Sequence, residues 1–424
     1  MKKPFFFILV LIYCCFVQIL LAQTRIWSPY SRYGIGELNF VNSTFLGSMG
    51  NTSIAFNSNS IINVNNPASY VAADSMSFLF DGGAVAKYNT IKQAENKENS
   101  VYSSLSHIIF AFPATQKISF SFGLMPYSSM GYKISDQEII DSIGKVNYTY
   151  DGWGGLNKLY VGSGMELFQN FSVGINANYI FGSLNRQQIA VFDSANFFNS
   201  RIRNHTIVND FNFDLGLQYY FNLKNDKRLM FGVVYGLPAD LSVKNTKIAE
   251  RFIGNSGIVI IKDTIEYSKN NKGHISFPMH YGAGIGYEKK NHWYVGFDAN
   301  WQQWSDYKFM GKSDSLNNSI RYSAGGYYIP KSKTGVRNQF TNTTFLWGLH
   351  YYQSNLELRN NIIKQRGISF GVRLPLKQSR SSVMLSLELG KTGTTDENLI
   401  EETYLVFKVS MNIYEIWFFK RKYE

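Results

Sequence analysis

The sequence predicts an all-β fold: a transmembrane antiparallel β-barrel of about fourteen strands with an N-terminal hatch or plug segment in its lumen. Three observations carry the prediction. Residues 1–22 have the order of a secretory signal, apolar residues then alternate with polar or small ones over most of the stretch from Ser75 to Ile413, and residues 23–74 do not alternate. The organisation expected is therefore a signal peptide over 1–22, a hatch or plug over 23–74 and an outer-membrane β-barrel over 75–424.

The first element sets the compartment. Lys2 and Lys3 precede an apolar run from Phe5 to Leu21, interrupted by Gln18, and Leu20-Leu21-Ala22 offers a small-residue cleavage site. Both cysteines, Cys14 and Cys15, lie in this segment, so the exported chain has no thiol for disulfides, thiolate metal sites or a cysteine nucleophile. The formal charge of +12 falls to +10 when Lys2 and Lys3 leave. The remaining basic residues are scattered and form no block of five, which argues against nucleic acid as a partner.

The barrel strands follow from a period of two. Phe171, Val173, Ile175, Ala177, Tyr179 and Phe181 alternate with Ser172, Gly174, Asn176 and Asn178, with Ile180 the exception. Ile118-Phe120-Phe122-Leu124, Phe213-Leu215-Leu217-Tyr219-Phe221, Trp293-Val295-Phe297, Ile368-Phe370-Val372-Leu374 and Val383-Leu385-Leu387-Leu389 repeat it. Each is a strand with one apolar and one polar or small face. Short turns fall near 113–117, 169–170, 224–227, 289–291 and 377–381. Long connections fall around 91–100, 135–152, 183–205, 244–272, 305–318 and 390–402. The alternation of short with long is that of periplasmic turns and external loops, with Lys331–Asn342 longer than its place requires. Strand ends carry aromatics such as Trp153, Tyr160, Trp301, Trp304, Tyr352 and Trp417, the residues expected at membrane interfaces. In lipid such a sheet has to close, because an open edge leaves backbone groups unpaired. The reading is a multi-pass barrel in the outer membrane of a Gram-negative cell, in contact with its lipid.

Residues 23–74 contain Ser28-Pro29-Tyr30-Ser31-Arg32-Tyr33-Gly34, a small-residue patch over Gly47–Thr52, and Ile61-Ile62-Asn63-Val64-Asn65-Asn66-Pro67-Ala68-Ser69-Tyr70. A barrel of about fourteen strands encloses more space than its own side chains fill, which leaves room for such a segment. The stretch resembles the N-terminal hatch and Asn-Pro-Ala motif of the FadL/TodX family of outer-membrane transporters for hydrophobic compounds. It is most similar to the branch found in Bacteroidetes, as is the end Trp417-Phe418-Phe419-Lys420-Arg421-Lys422. The resemblance implies that Asn66, Pro67 and Ala68 sit against a kink in the third strand, and that the kink is a side exit into the bilayer. That strand runs through Leu124-Met125-Pro126-Tyr127-Ser128-Ser129-Met130-Gly131-Tyr132. Independently of the resemblance, Pro126 removes a ladder donor and Gly131 has no side chain, so a break in pairing is expected there. Met49, Phe56, Met125, Tyr127 and Met130 are the candidates for adaptable apolar ligand surface near hatch and kink.

No catalytic pattern emerges, and the chain reads as a non-enzyme without cofactor or metal. Among the six histidines none forms His-Glu-x-x-His, and His274 and His280 are about 20 Å apart along a strand. Gly282-Ala283-Gly284-Ile285-Gly286 sits inside a period-two run, and Gly162-Ser163-Gly164 lacks the spacing of a nucleophile elbow. The lumen-facing set Asn176, Asn178, Asp214, Gln218, Asp298, Asn300, Arg373 and Glu388 reads as interior solvation. The function implied is passive uptake of a hydrophobic or amphipathic small molecule, fatty-acid-like or aromatic, with hatch gating and lateral release. The alternative is a non-transport barrel subunit that binds a protein partner in a secretion or surface-assembly complex.

Overall fold

The computed structural model describes residues 28–417 apart from 41–42, 142, 195, 255–258, 331–341 and 378. The signal segment, most of the connection over 331–342 and the C-terminal motif beyond Trp417 lie outside the described residues.

Fourteen antiparallel strands close into a barrel. They are β1 (Ser77–Gln93), β2 (Asn96–Pro113), β3 (Ile118–Ile140), β4 (Gly144–Phe168), β5 (Phe171–Phe192) and β6 (Asn199–Leu223). Next come β7 (Lys227–Gly236 and Ala239–Ile253), β8 (Ile260–Phe277 and His280–Lys289), β9 (Trp293–Gln302) and β10 (Ser319–Tyr328). The last are β11 (Thr344–Leu358), β12 (Asn361–Pro375), β13 (Ser382–Gly393) and β14 (Glu401–Ile416). Closure is by β14 on β1, in register from Ile416 opposite Ser77 to Glu401 opposite Lys92. The breaks in β7 and β8 fall at Pro238 and Pro278, residues with no N–H to give to a ladder.

The outward faces are apolar. Phe122, Val161, Ile175, Phe213, Leu217, Phe297, Phe370 and Phe407 are all exposed, a surface that water would penalise and lipid accepts. Apolar burial is turned inward onto residues 28–76. Phe45, Leu46, Met49, Phe56 and Ile61 pack on Met230, Tyr294, Leu346 and Met384, while Ile62, Val64 and Tyr70 pack on Leu79, Ile109, Met125 and Tyr160. The N-terminal segment is thus a plug whose side chains, together with those of the wall, form the core. An outer cluster joins Tyr30, Ile35, Met130 and Tyr132 to Trp304 and Tyr307, from a turn between β9 and β10 that folds into the mouth.

Two sequence expectations change. Several segments expected as long outer loops are continuations of strands: β3 and β4 run to a turn near 141–143, and β7 and β8 extend past the lipid-facing band as a hairpin. These upper halves have no lipid to face, so the apolar alternation that marks a strand stops there. Trp304, Tyr160 and Tyr352 are buried in the lumen, not seated at an interface, whereas Trp417 stacks on Phe78 at 3.9 Å between ring centroids at the barrel rim.

Candidate functional site

The wall is not paired all the way round. β2 pairs with β3 only from Ile108 opposite Leu124 to Pro113 opposite Ser119, although β3 keeps pairing with β4 up to Ile140. Above Leu124 the register of β3 slips between Pro126 and Ser128, and the strand swings from β2. A bulge at a proline lacking a donor is what bends a strand this way. The edge of β3 freed by the bend does not face lipid bare. Glu37 and Leu38 of the plug lie opposite Ser129 and Ser128 as a short antiparallel pair. Ser28 N–H donates to the Gly131 carbonyl (3.1 Å), Gly131 N–H to Ser31 Oγ (3.0 Å), and Asn39 N–H to the Tyr127 carbonyl (3.0 Å). The plug completes backbone pairing that β2 leaves undone.

A groove of about 730 Å³ opens here, lined from β2 by Tyr102, Ser104 and Leu105 and from β3 by Met125, Pro126 and Met130. Inside it lies a chamber of about 200 Å³ under the mouth. Tyr102, Ser104, Leu105 and Pro126 line both spaces, so the chamber and the side opening adjoin across one layer of residues. Tyr30, Phe40, Trp304, Tyr352 and Val406 give the chamber apolar surface. Its charges are balanced and mostly paired: Lys87 with Glu37 at 3.0 Å and Lys408 with Glu388 at 3.2 Å. Glu402 accepts from Ser28 Oγ (2.6 Å) and Asn89 Nδ2 (3.0 Å), and Arg321 lies 4.7 Å over the Phe40 ring. Burial, and next the Glu402 carboxylate, push the Tyr30 phenol well above its ordinary range, so it stays a neutral donor to the Ile400 carbonyl. A second chamber of about 180 Å³ adjoins the first across Leu38, Asn39 and Phe40. A third space of about 490 Å³ lies below the plug, lined by Phe45, Phe56, Arg228 and Arg373, and shares no lining residue with the two chambers above.

What keeps those spaces apart is a set of inward polar side chains that grip the plug backbone. Asp298 on β9, with no exposed surface, accepts from the Ser53 and Ile54 N–H groups at 2.5 and 2.9 Å. Gln218 Nε2 donates to the Ile54 carbonyl (2.9 Å) and Asn176 Nδ2 to the Val64 carbonyl (3.1 Å). The Tyr70 hydroxyl donates to Asn176 Oδ1 (2.9 Å), its phenol raised by burial. Ser369 on β12 donates to the Ser48 carbonyl (3.0 Å) and accepts from Gly50 N–H (3.1 Å). Between these grips, wall glycines let backbone meet backbone: a Cβ at Gly164 would stand 2.6 Å from the Pro67 carbonyl oxygen, and one at Gly174 2.5 Å from Ala68 N. The polar lumen residues read as interior solvation are in good part anchors.

The sequence candidates divide into two groups. Met125, Pro126 and Met130 of β3 line the side opening, Tyr127 lines the second chamber with its ring 5.8 Å from Phe277, and Gly131 is bonded to Ser28 and Ser31 of the plug. Asn66, Pro67 and Ala68 form the start of a 3-10 turn, Pro67–Ala72, and lie elsewhere. Asn66 Nδ2 donates to the Ile54 and Leu217 carbonyls (2.7 and 3.1 Å) while its Oδ1 accepts from Ala68 N–H (3.1 Å). The turn is pressed on glycines of β4, β5 and β6, Tyr70 packs in one cluster with Met125 of β3, and residues 28–39 pair with β3 above Pro126. Met49 and Phe56 are buried in the plug core on β10 and β11, apart from Met125. Missed by sequence reading were Tyr102, Ser104 and Leu105, and the chamber charges Lys87, Arg321 and Glu402. The parity of β1, which puts Lys87 on the face of Asp81 and Gly83, was the available signal for one of them.

The fold is that of the FadL/TodX channels. The chain is similar to the Pseudomonas putida toluene transporter TodX (TM-score 0.57, 16% identity, 91% of this chain and 100% of that one covered). It is also similar to a Pseudomonas aeruginosa FadL homologue (0.57, 11%, 89% and 99%) and to the Ralstonia pickettii toluene transporter TbuX (0.57, 14%, 88% and 97%). No curated protein matches it in sequence. A closed barrel with an apolar exterior and this fold is an outer-membrane, multi-pass β-barrel. The family described as BamG matches residues 1–424, the full length, and the chain belongs to the BamG family.

Proposed function

We propose that the barrel is a passive conduit for a hydrophobic or amphipathic small molecule, which enters the chamber beneath the mouth and leaves through the side opening between β2 and β3. One observation carries this reading: the chamber and the opening share Tyr102, Ser104, Leu105 and Pro126, while the space below the plug shares no lining residue with either chamber. The straight route along the barrel axis is blocked by a plug with many grips, and the sideways route crosses a single layer of side chains. An apolar solute gains by going sideways, since lipid receives it without the cost of water. The fold shared with the toluene transporters TodX and TbuX supports the substrate class. Small shifts of residues 28–39 along the freed edge of β3 would serve as the gate. The test is uptake of radiolabelled toluene and oleate by cells whose own hydrophobic-compound channels are deleted and which express this chain. Expression should raise uptake, and Leu105→Trp together with Ser104→Trp, which fill the opening, should abolish the gain. Unchanged uptake in the filled variant would refute the lateral route.

A second reading, a barrel subunit that binds a protein partner, has its own observation. Among the described residues the upper part of β8, from Ile260 to Gly273, pairs with β7 alone, and its exposed Ile261, Ile265 and Tyr267 sit on a strand edge able to pair with another chain. If removing residues 246–271 lowers the native mass of the membrane complex while uptake stays at background in both forms, this second reading replaces the first.

A further inference from the structure

The lipid-facing surface carries an arrangement that neither plug nor lumen uses. At the short-turn end of the barrel, Leu223, Lys227, Lys289, Trp293 and Tyr328 follow one another as register partners across β6 to β10. Lys227 and Lys289 therefore stand directly opposite each other, a cross-strand pair of like charges that is destabilising unless an anion lies between them. The chain supplies none. Neither ammonium has a carboxylate within 4.0 Å among the described residues: Glu288 is turned inward onto Arg228, and Asp226 is exposed in the adjoining turn. No other described strand puts a cation on its outward face at this end. The next outward row is Phe221, Leu229, Tyr287 and Val295, and the one beyond it Tyr219, Phe231, Ile285 and Phe297. The two lysines thus sit at the rim of an apolar sheet, with Trp293 and Tyr328 beside them and the Lys227 ammonium 6.0 Å from the Tyr287 ring centre. Aromatics of this kind mark the level of the lipid headgroups.

We infer that Lys227 and Lys289 hold the phosphate of an anionic phospholipid of the periplasmic leaflet, with its acyl chains lying on Leu229, Phe231 and Ile285. A phosphate between the ammonium groups replaces one repulsion by two attractions, and the apolar rows receive the chains. A zwitterionic lipid brings a cation of its own to the same place and gains less. A soluble phosphate has no chains to lay on the sheet, and an acidic protein makes no use of rows that face lipid, so a lipid fits both halves of the site. None of these residues lines a chamber or the side opening, and the inference does not depend on what passes through the lumen.

The experiment is native mass spectrometry of the full-length, delipidated protein in mild detergent, with dioleoylphosphatidylglycerol, dioleoylphosphatidylethanolamine and glycerol phosphate as probes. Phosphatidylglycerol should bind tightest. Lys227→Gln and Lys289→Gln should each weaken its binding roughly fivefold, and the double variant roughly 25-fold, to the level of phosphatidylethanolamine. Lys364→Gln, at the other end of the barrel, should change nothing. Because the lysines repel each other in the bare protein, the variants should keep the heat-resistant barrel band on gels, and only the wild type should gain heat resistance from added phosphatidylglycerol. Equal binding of the two lipids, or a phosphatidylglycerol preference that survives the double substitution, overturns the inference. Glycerol phosphate binding as tightly as the lipid overturns it in favour of a soluble phosphate. Loss of a protein from the complex extracted from native membranes, with lipid binding of the double variant unaltered, overturns it in favour of an acidic protein partner.

Discussion

Asp298→Ala should loosen the plug where it crosses β9. In the folded protein this carboxylate accepts the Ser53 and Ile54 N–H groups at 2.5 and 2.9 Å, with no exposure to water. Each hydrogen bond to this buried acceptor contributes about 1–3 kcal/mol, and truncation leaves both donors buried without a partner. The expected cost is about 3–5 kcal/mol against local release, and at about 1.4 kcal/mol per factor of ten the released population rises roughly 100-fold or more. Hydrogen exchange followed by mass spectrometry reads this directly as faster exchange in peptides spanning residues 50–66. Asp298→Asn keeps an acceptor oxygen without the charge and should fall between wild type and Asp298→Ala. Peptides from the upper part of β7 serve as the internal reference. If exchange in residues 50–66 changes less than about threefold, Asp298 is not a plug anchor and the grip assigned to it is wrong.

Other perturbations follow from the same contacts. Gly174→Ala places a methyl 2.5 Å from Ala68 N, and overpacking of about 1–3 kcal/mol should lower the yield of heat-resistant barrel without changing the expression level. Lys408→Met removes the ammonium 3.2 Å from the buried Glu388 carboxylate and leaves it the Tyr404 hydroxyl at 3.4 Å; the urea midpoint should fall by the equivalent of about 1–3 kcal/mol, and adding Glu388→Gln should restore most of it. Asn66→Ala removes one acceptor and two donor contacts of a fully buried amide, so exchange at Ala68, whose N–H the Asn66 side chain accepts, should quicken while β3 peptides stay as they were. Quickening at β3 instead would tie the motif to the kink.

The lipid-facing part of the barrel was legible because the bilayer imposes one rule on every strand, apolar outward at every second residue, and Phe171 to Phe181 obeys it almost without exception. The rule is silent above the membrane, which is why Glu266, Lys269 and Asn270 looked like loop and are strand. The kink was legible in Pro126, since a missing N–H is a local fact. The grips were not. Asp298 and Ser53 are 245 residues apart, Ser369 and Gly50 are 319, and nothing in either sequence neighbourhood distinguishes an anchor from a hydrated lumen side chain. The wall under Asn66 was hidden for the same reason: a motif carries its own turn, Asn66 capping Pro67–Ala72, but not the strands on which the turn is laid.

The glycine-faced wall has a consequence for how the molecule comes into being. Plug backbone lies so close to Gly164, Gly174, Gly325 and Gly348 that no finished cylinder could admit it afterwards as a threaded chain. The strands have to be laid around it. The last seam, β14 onto β1, runs past Ser28, whose hydroxyl is bonded to Glu402 on the closing strand, 374 residues away. The segment that precedes the first strand is thus the mould on which the final pairing sets. Whatever inserts this barrel in the membrane has to hold an unclosed sheet until the mould is in place.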